Sequence, residues 1–272
     1  MAVAILHPSS PRTSQPARLG RTLGWLTLVV GVLCAAAALL PGPAYRIELL
    51  PLNIALQMVR WAATIAIGGA AVALLAVLLT MGSSARSRWR RRARWALVIN
   101  AAVAAWPLYM YYQLQSLPRI HDISSDTANP PTFDAVLPLR RGAKNPVDYV
   151  SATAAEQHKA YPDIVSLQLP IGPAVAFDNA ERAARTMGWQ IVAAAPDKLR
   201  LEATDTTLLF GFKDDIVVRI TAQGAASVVD VRSLSRVGGS DFGTNAKRVR
   251  AYLKRVATAK QPDRHCRSSR RW

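Results

Sequence analysis

Residues 61–114 read WAATIAIGGAAVALLAVLLTMGSSARSRWRRRARWALVINAAVAAWPLYMYYQL. Two apolar runs, Trp61 to Leu79 and Trp95 to Leu114, flank a connection rich in Arg86, Arg88, Arg90, Arg91, Arg92 and Arg94. A third run, Leu23 to Leu40, precedes them. At about 1.5 Å per helical residue, each is long enough to cross a hydrocarbon layer of roughly 30 Å. The pattern predicts a membrane domain over residues 1–115 with three transmembrane helices.

Guanidinium groups resist translocation, so the arginine cluster is expected to stay cytoplasmic. Arg12, Arg18 and Arg21 precede the first run, whereas 41–60 carries only Arg46 and Arg60 against Glu48. This asymmetry puts the amino terminus in the cytoplasm and everything after Leu114 outside it. Trp25, Trp89 and Trp95 would mark the inner boundary; Trp61, Tyr109, Tyr111 and Tyr112 would mark the outer one. The interiors of the runs hold no Asp, Glu, Lys or Arg, which argues against a transport pathway. Asn100 is expected to hydrogen-bond a neighbouring helix and Pro107 to bend the third span. Cys34 lies within the first run and Cys266 near the end of the chain, so no disulfide is expected. Cleavage after the alanines at 35–38 would not alter the orientation of the segments downstream.

The formal charge of +17 would suit a nucleic-acid binder, but its distribution does not. Residues 1–115 carry eleven basic groups and one acidic group; residues 116–246 carry thirteen and fifteen; residues 247–272 carry ten and one. The central region is nearly neutral, so no basic reading surface is expected and nucleic acid is excluded as a partner.

Pro118, Pro130, Pro131, Pro138 and Pro146 break up residues 116–160, which read as an extended arm. Residues 161–259 predict a small α+β domain with two helices packed on one face of an antiparallel sheet. Strands are expected at 165–169, 190–194, 199–204, 206–212, 216–221 and 227–235, with a turn at Lys213-Asp214-Asp215. One helix opens at Gly172-Pro173 and closes at Gly188, and another covers 245–259. Residues 260–272 form a basic tail expected to be disordered.

Side-chain alternation separates core from candidate site residues. Ile216, Val218 and Ile220 share one face and Val217 and Arg219 the other; Asp230 and Arg232 point together, away from Val229, Val231 and Ser233. Glu202, Arg219, Asp230 and Arg232 would then share an open face, either as cross-strand ion pairs or as a site where arginines meet a carboxylate or phosphate. Arg236 begins a glycine-rich loop running through Asp241 to Asn245. It offers an anion the amino terminus of a helix, unless Asp241 caps that helix itself. His121-Asp122-Ile123-Ser124 brings a histidine beside a carboxylate, yet no nucleophile elbow or metal-ligand spacing accompanies it. No catalytic set, metal or cofactor is predicted. The ligand-binding candidates are His121, Asp122, Arg219, Asp230, Arg232, Arg236, Asp241 and Asn245.

From His121 to about Val256 the chain resembles the domain-of-unknown-function family 1499 (DUF1499). The resemblance is carried by His121-Asp122-Ile123-Ser124, Pro130-Pro131 with Phe133, Tyr161-Pro162, Met187-Gly188-Trp189 and Glu202-Ala203-Thr204. It continues through Asp214-Asp215, Val218-Arg219-Ile220, Asp230-Val231-Arg232-Ser233, Ser235-Arg236-Val237-Gly238, Ser240-Asp241, Gly243, Asn245-Ala246, Arg248 and Arg250. Members are membrane-anchored bacterial proteins and some plastid ones, and the family brings no established reaction. The resemblance supports the domain boundary, and the spans with their arginine asymmetry lead to the expectation of a multi-pass protein of the bacterial inner membrane with a periplasmic domain. The expected role is a non-enzymatic binding or accessory module for an anionic ligand, an envelope component or a partner protein. Two alternatives stand beside it: an envelope hydrolase using His121 with Asp122 or Asp241, and a structural partner of another membrane protein acting through the spans.

Overall fold

The computed structural model describes residues 15–81 and 87–259. Arg12, Arg86, Cys266 and the basic run from Lys260 lie outside them. The chain forms two compact units that divide after Tyr111.

The first unit is helical: α1 (Gln15–Leu39), the short α2 (Pro41–Arg46), α3 (Leu52–Leu79) and α4 (Ser87–Ser116). Arg18–Arg46 and Leu52–Leu79 are each long and apolar enough to cross a membrane. The helices begin earlier than the apolar runs alone predict, because residues 15–22 before Leu23 and 52–60 before Trp61 are helical too. Pro107 sits inside α4.

Small residues decide how these helices pack. α1 buries Gly20, Gly24, Thr27, Gly31, Cys34 and Ala38, and α3 buries Ala55, Val59, Ala62, Ala66, Gly69, Ala73 and Ala76. In both, the spacing alternates between three and four, which keeps one seam facing a neighbour. Side chains this small let backbones approach closely, as van der Waals packing between apolar helices requires. α4 adds Ala93, Ala96 and Ala104 to the junction, along with Asn100, whose Nδ2 donates to the Thr27 carbonyl at 3.0 Å and to the Ala96 carbonyl at 2.8 Å. Asn100 therefore bonds a neighbouring helix, as its place in an apolar run predicts.

The second unit holds a six-stranded antiparallel sheet. Its strands are β1 (Asp122–Ser124), β2 (Leu167–Leu169), β3 (Gln190–Ala195), β4 (Arg200–Thr206), β5 (Lys213–Gln223) and β6 (Ala226–Ser235), in the order β1-β6-β5-β4-β3. β2 lies along the same edge of β6 as β1, pairing with Ser227–Val229 while β1 pairs with Arg232–Leu234. The helices are α5 (Ser151–Ala160), α6 (Pro173–Thr186) and α7 (Thr244–Thr258).

α6 and α7 pack on one face. Ile216, Val218, Ile220, Val229 and Val231 meet Phe177, Ala180 and Ala184 from α6 and Val249, Tyr252 and Val256 from α7. Gly188, at φ +78°, ends the turn after α6 and delivers Trp189 to stack on Tyr252 at 4.8 Å.

Three expectations need correcting. Residues 207–212 form a turn rather than a strand: the Thr207 N–H donates to the Phe212 carbonyl, Gly211 takes φ +67°, and Leu208 is 91% exposed. Lys213-Asp214-Asp215 belongs to β5, because each aspartate meets arginines on its own side of the sheet. The segment 116–160 is no free arm: it supplies β1, α5 and a 3-10 turn at Leu137–Arg140. Phe133, Val136 and Val147 from this segment pack on Val217 and Leu234, closing the face that alternation leaves open. Apolar side chains set among the charges on that face account for the cover.

Candidate functional site

The second face of the sheet holds three groups of ion pairs, two of them buried beneath this cover. In the first, Arg232 (β6) donates Nε to Asp122 Oδ1 at 2.9 Å and Nη2 to Asp122 Oδ2 at 2.7 Å. The same guanidinium reaches the carbonyls of Pro131 and Val147 and lies between the rings of Phe133 and Tyr149, 5.1 and 5.2 Å from their centroids. Arg232 is 2% exposed. Burial pushes the Asp122 carboxyl up from its usual range, and the bonds and charge of Arg232 oppose that. Burial and the Asp122 carboxylate push the Tyr149 phenol up to about 12.

The second group surrounds Asp215, which is fully buried. Arg140 donates Nη1 to Oδ2 at 2.5 Å, Arg236 donates Nε to Oδ2 at 2.9 Å and Nη2 to Oδ1 at 2.8 Å, and Thr204 donates its hydroxyl at 2.8 Å. Glu202 anchors the covering segment beside it, accepting the N–H groups of Asp134 and Val136 at 2.9 and 3.0 Å and the Arg200 guanidinium at 2.7 Å.

The third group centres on Arg219, whose Nη2 donates to Asp126 at 2.8 Å and to Asp230 at 2.9 Å. Asp230 also accepts the Ser166 hydroxyl at 2.5 Å. The Arg219 side chain is 26% exposed, and its Nε is buried with no partner. Arg200 lies directly opposite it in the β4–β5 register.

On the helix side, Arg248 pairs with Asp214 at 2.7 Å and donates Nε to Asp205 at 2.9 Å. Asn245 donates Nδ2 to the His121 carbonyl at 3.0 Å and to the Ser235 hydroxyl at 2.9 Å, and accepts the Ser233 hydroxyl at 2.7 Å. Asp241 accepts the N–H groups of Gly243 at 2.9 Å and Asn245 at 2.6 Å, so its own carboxylate occupies the start of α7. Burial raises the Asp241 carboxyl, with those two N–H groups pulling the other way.

The candidates thus fall into separate groups. Asp122 with Arg232, Arg236 with Asp215, and Asp241 with Asn245 are engaged with one another or with close neighbours. Arg219 and Asp230 sit opposite each other on β5 and β6. The Nδ1 of His121 is buried without a partner, and no hydrogen bond joins this ring to Asp241 or Ser235. The acid–base pairing that the hydrolase reading requires is not formed, and Asp122 is committed to Arg232. Among the described residues no group of three or more His, Cys, Asp and Glu side chains could hold a metal ion.

Sequence reasoning missed Arg140, Asp215 and Arg248 as partners. The available signal was Asp214-Asp215: adjacent acids in a strand point to opposite faces, and each needs its own cation.

An antiparallel sheet with two helices on one face and a charged, loop-covered second face defines this as a small α+β domain appended to a helical unit. Residues 122–256 match the family model described as "Protein of unknown function (DUF1499)", and the chain carries a domain of that family. No curated protein matches the chain.

Proposed function

We propose that this chain is a membrane-tethered accessory module of a bacterial inner membrane. In this reading α1, α3 and α4 are three spans, the amino terminus is cytoplasmic, and the DUF1499 domain is periplasmic. There it engages an anionic ligand carried by an envelope component or a partner protein. Two cation–π contacts support the orientation. Arg21 stands 5.7 Å from the Trp89 ring and Arg92 stands 4.8 Å from the Trp25 ring, so the basic first turns of α1 and α4 lie at the same end. Positive charge gathered at one end is what cytoplasmic retention selects.

The observation that carries the ligand reading is Arg219. Unlike Arg232 and Arg236, it keeps an Nε without a partner, is partly exposed, and stands across from Arg200. Arg200 spends its Nε and Nη2 on Glu202, so it adds positive charge beside Arg219, whose remaining N–H groups are the donors offered to phosphate or carboxylate. Asp126 and Asp230 already share Arg219, so a doubly charged phosphate competes better than a single carboxylate.

The test is calorimetric titration of the full chain in detergent with inorganic phosphate, and binding to nanodiscs with and without phosphatidylglycerol. Arg219→Lys keeps a charge for Asp126 and Asp230 but loses the fork. At least tenfold weaker binding by this variant supports the reading. Equal binding by both forms, or none by either, contradicts it.

A further inference from the structure

The two edges of the sheet are finished differently. Along β1, Gln157 from α5 donates Nε2 to the Ser124 carbonyl at 2.7 Å and accepts the Ser124 N–H at 3.0 Å, so a side-chain amide pairs that edge. β3 pairs with β4 along one side only, and among the described residues no hydrogen bond reaches its other side. An edge strand is usually blunted by charge or proline. β3 reads QIVAAA and has neither; its one protective feature is the bulge between Ile191 and Ala193.

The order of sizes within β3 selects the occupant. Gln190, Ile191 and Val192 are bulky, and the three residues after them are alanines. An antiparallel pairing of β3 with itself, centred between Val192 and Ala193, sets every bulky side chain against an alanine of the other copy. On either side of the bulge, Ile191 then meets Ala194, and Gln190 meets Ala195. Ala194 is exposed and Ile191 is only partly buried, so both are available to such a neighbour.

We propose that β3 is a self-pairing edge through which a second copy of this chain continues the sheet across a two-fold axis. A two-fold contact needs a self-complementary patch, and this strand is one. The inference does not rest on the anionic-ligand reading, since β3 contributes nothing to the Arg219 group.

The test uses the full chain in detergent with Cys34→Ser and Cys266→Ser. Ile191→Cys and Ala194→Cys chains are prepared separately, then oxidised alone and mixed. Residues directly opposite in antiparallel strands are close enough for a disulfide. The expected result is at least tenfold more disulfide-linked dimer in the mixture than in either single preparation. Light scattering should give a dimer mass for the parent and a monomer mass for Ala194→Lys. A monomeric parent, cross-linking no greater in the mixture, or a dimer untouched by Ala194→Lys would each overturn the proposal.

Discussion

Arg232 and Asp122 meet in a two-point pair at 2.9 and 2.7 Å although 110 residues separate them in the chain. The pair holds the start of the domain against its central sheet, and both side chains are buried. Removing one partner leaves the other charge buried without compensation, which costs about 3–5 kcal/mol. Asp122→Ala or Arg232→Ala should each lose that much, while the joint change Asp122→Leu with Arg232→Met should lose much less. Hydrogen exchange of the β5 and β6 amides in the full chain measures it. Equal losses in the single and joint variants would contradict this role.

Asp241 gives a pH dependence with a definite sign. Burial raises its carboxyl above the ordinary value of 3.8, so the folded state holds this proton more tightly than the unfolded state does. Its contribution to stability is complete below that ordinary value and is lost as pH rises through the raised one. Asp241→Asn should therefore flatten the fall in α7 protection as pH rises from about 4. A variant whose profile keeps the parent's slope would show that Asp241 is not the titrating group.

In the helical unit, Gly69 and Asn100 fit as a matched pair. A Cβ on Gly69 would come within 2.4 Å of Asn100 Oδ1, and one on Gly31 within 2.7 Å of its Nδ2. Overpacking costs about 1–3 kcal/mol, and the side-chain bond between helices is worth about 1 kcal/mol in lipid. Gly69→Ala should destabilise the parent but be tolerated in an Asn100→Ala background. Thermal melting in detergent tests this, and additive effects would show that the two positions do not touch.

The legible parts of the chain were those with local periodicity. The apolar runs, the alternation of Ile216, Val218 and Ile220, and the stripe Ala246, Val249, Leu253 and Val256 each carry their burial in their own spacing. Asp230 and Arg232 could be assigned to one face for the same reason. Arg219, on the same face, is legible as the cross-strand partner of Asp230, whereas Asp122, which holds Arg232, comes from a proline-broken segment whose path depends on contacts far along the chain. Asp214-Asp215 reads as a turn in isolation and becomes strand only when Arg248 arrives on one side and Arg140 with Arg236 on the other. Arg219 was visible as a candidate, but nothing local distinguished it from Arg232.

The proposed topology puts the DUF1499 domain across the membrane from the arginine-rich start of α4. Alkaline phosphatase joined after Trp272 tests it most directly, beside a second fusion joined after Met81. The account predicts an active enzyme at the first position and an inactive one at the second. Activity at the second with silence at the first would contradict it.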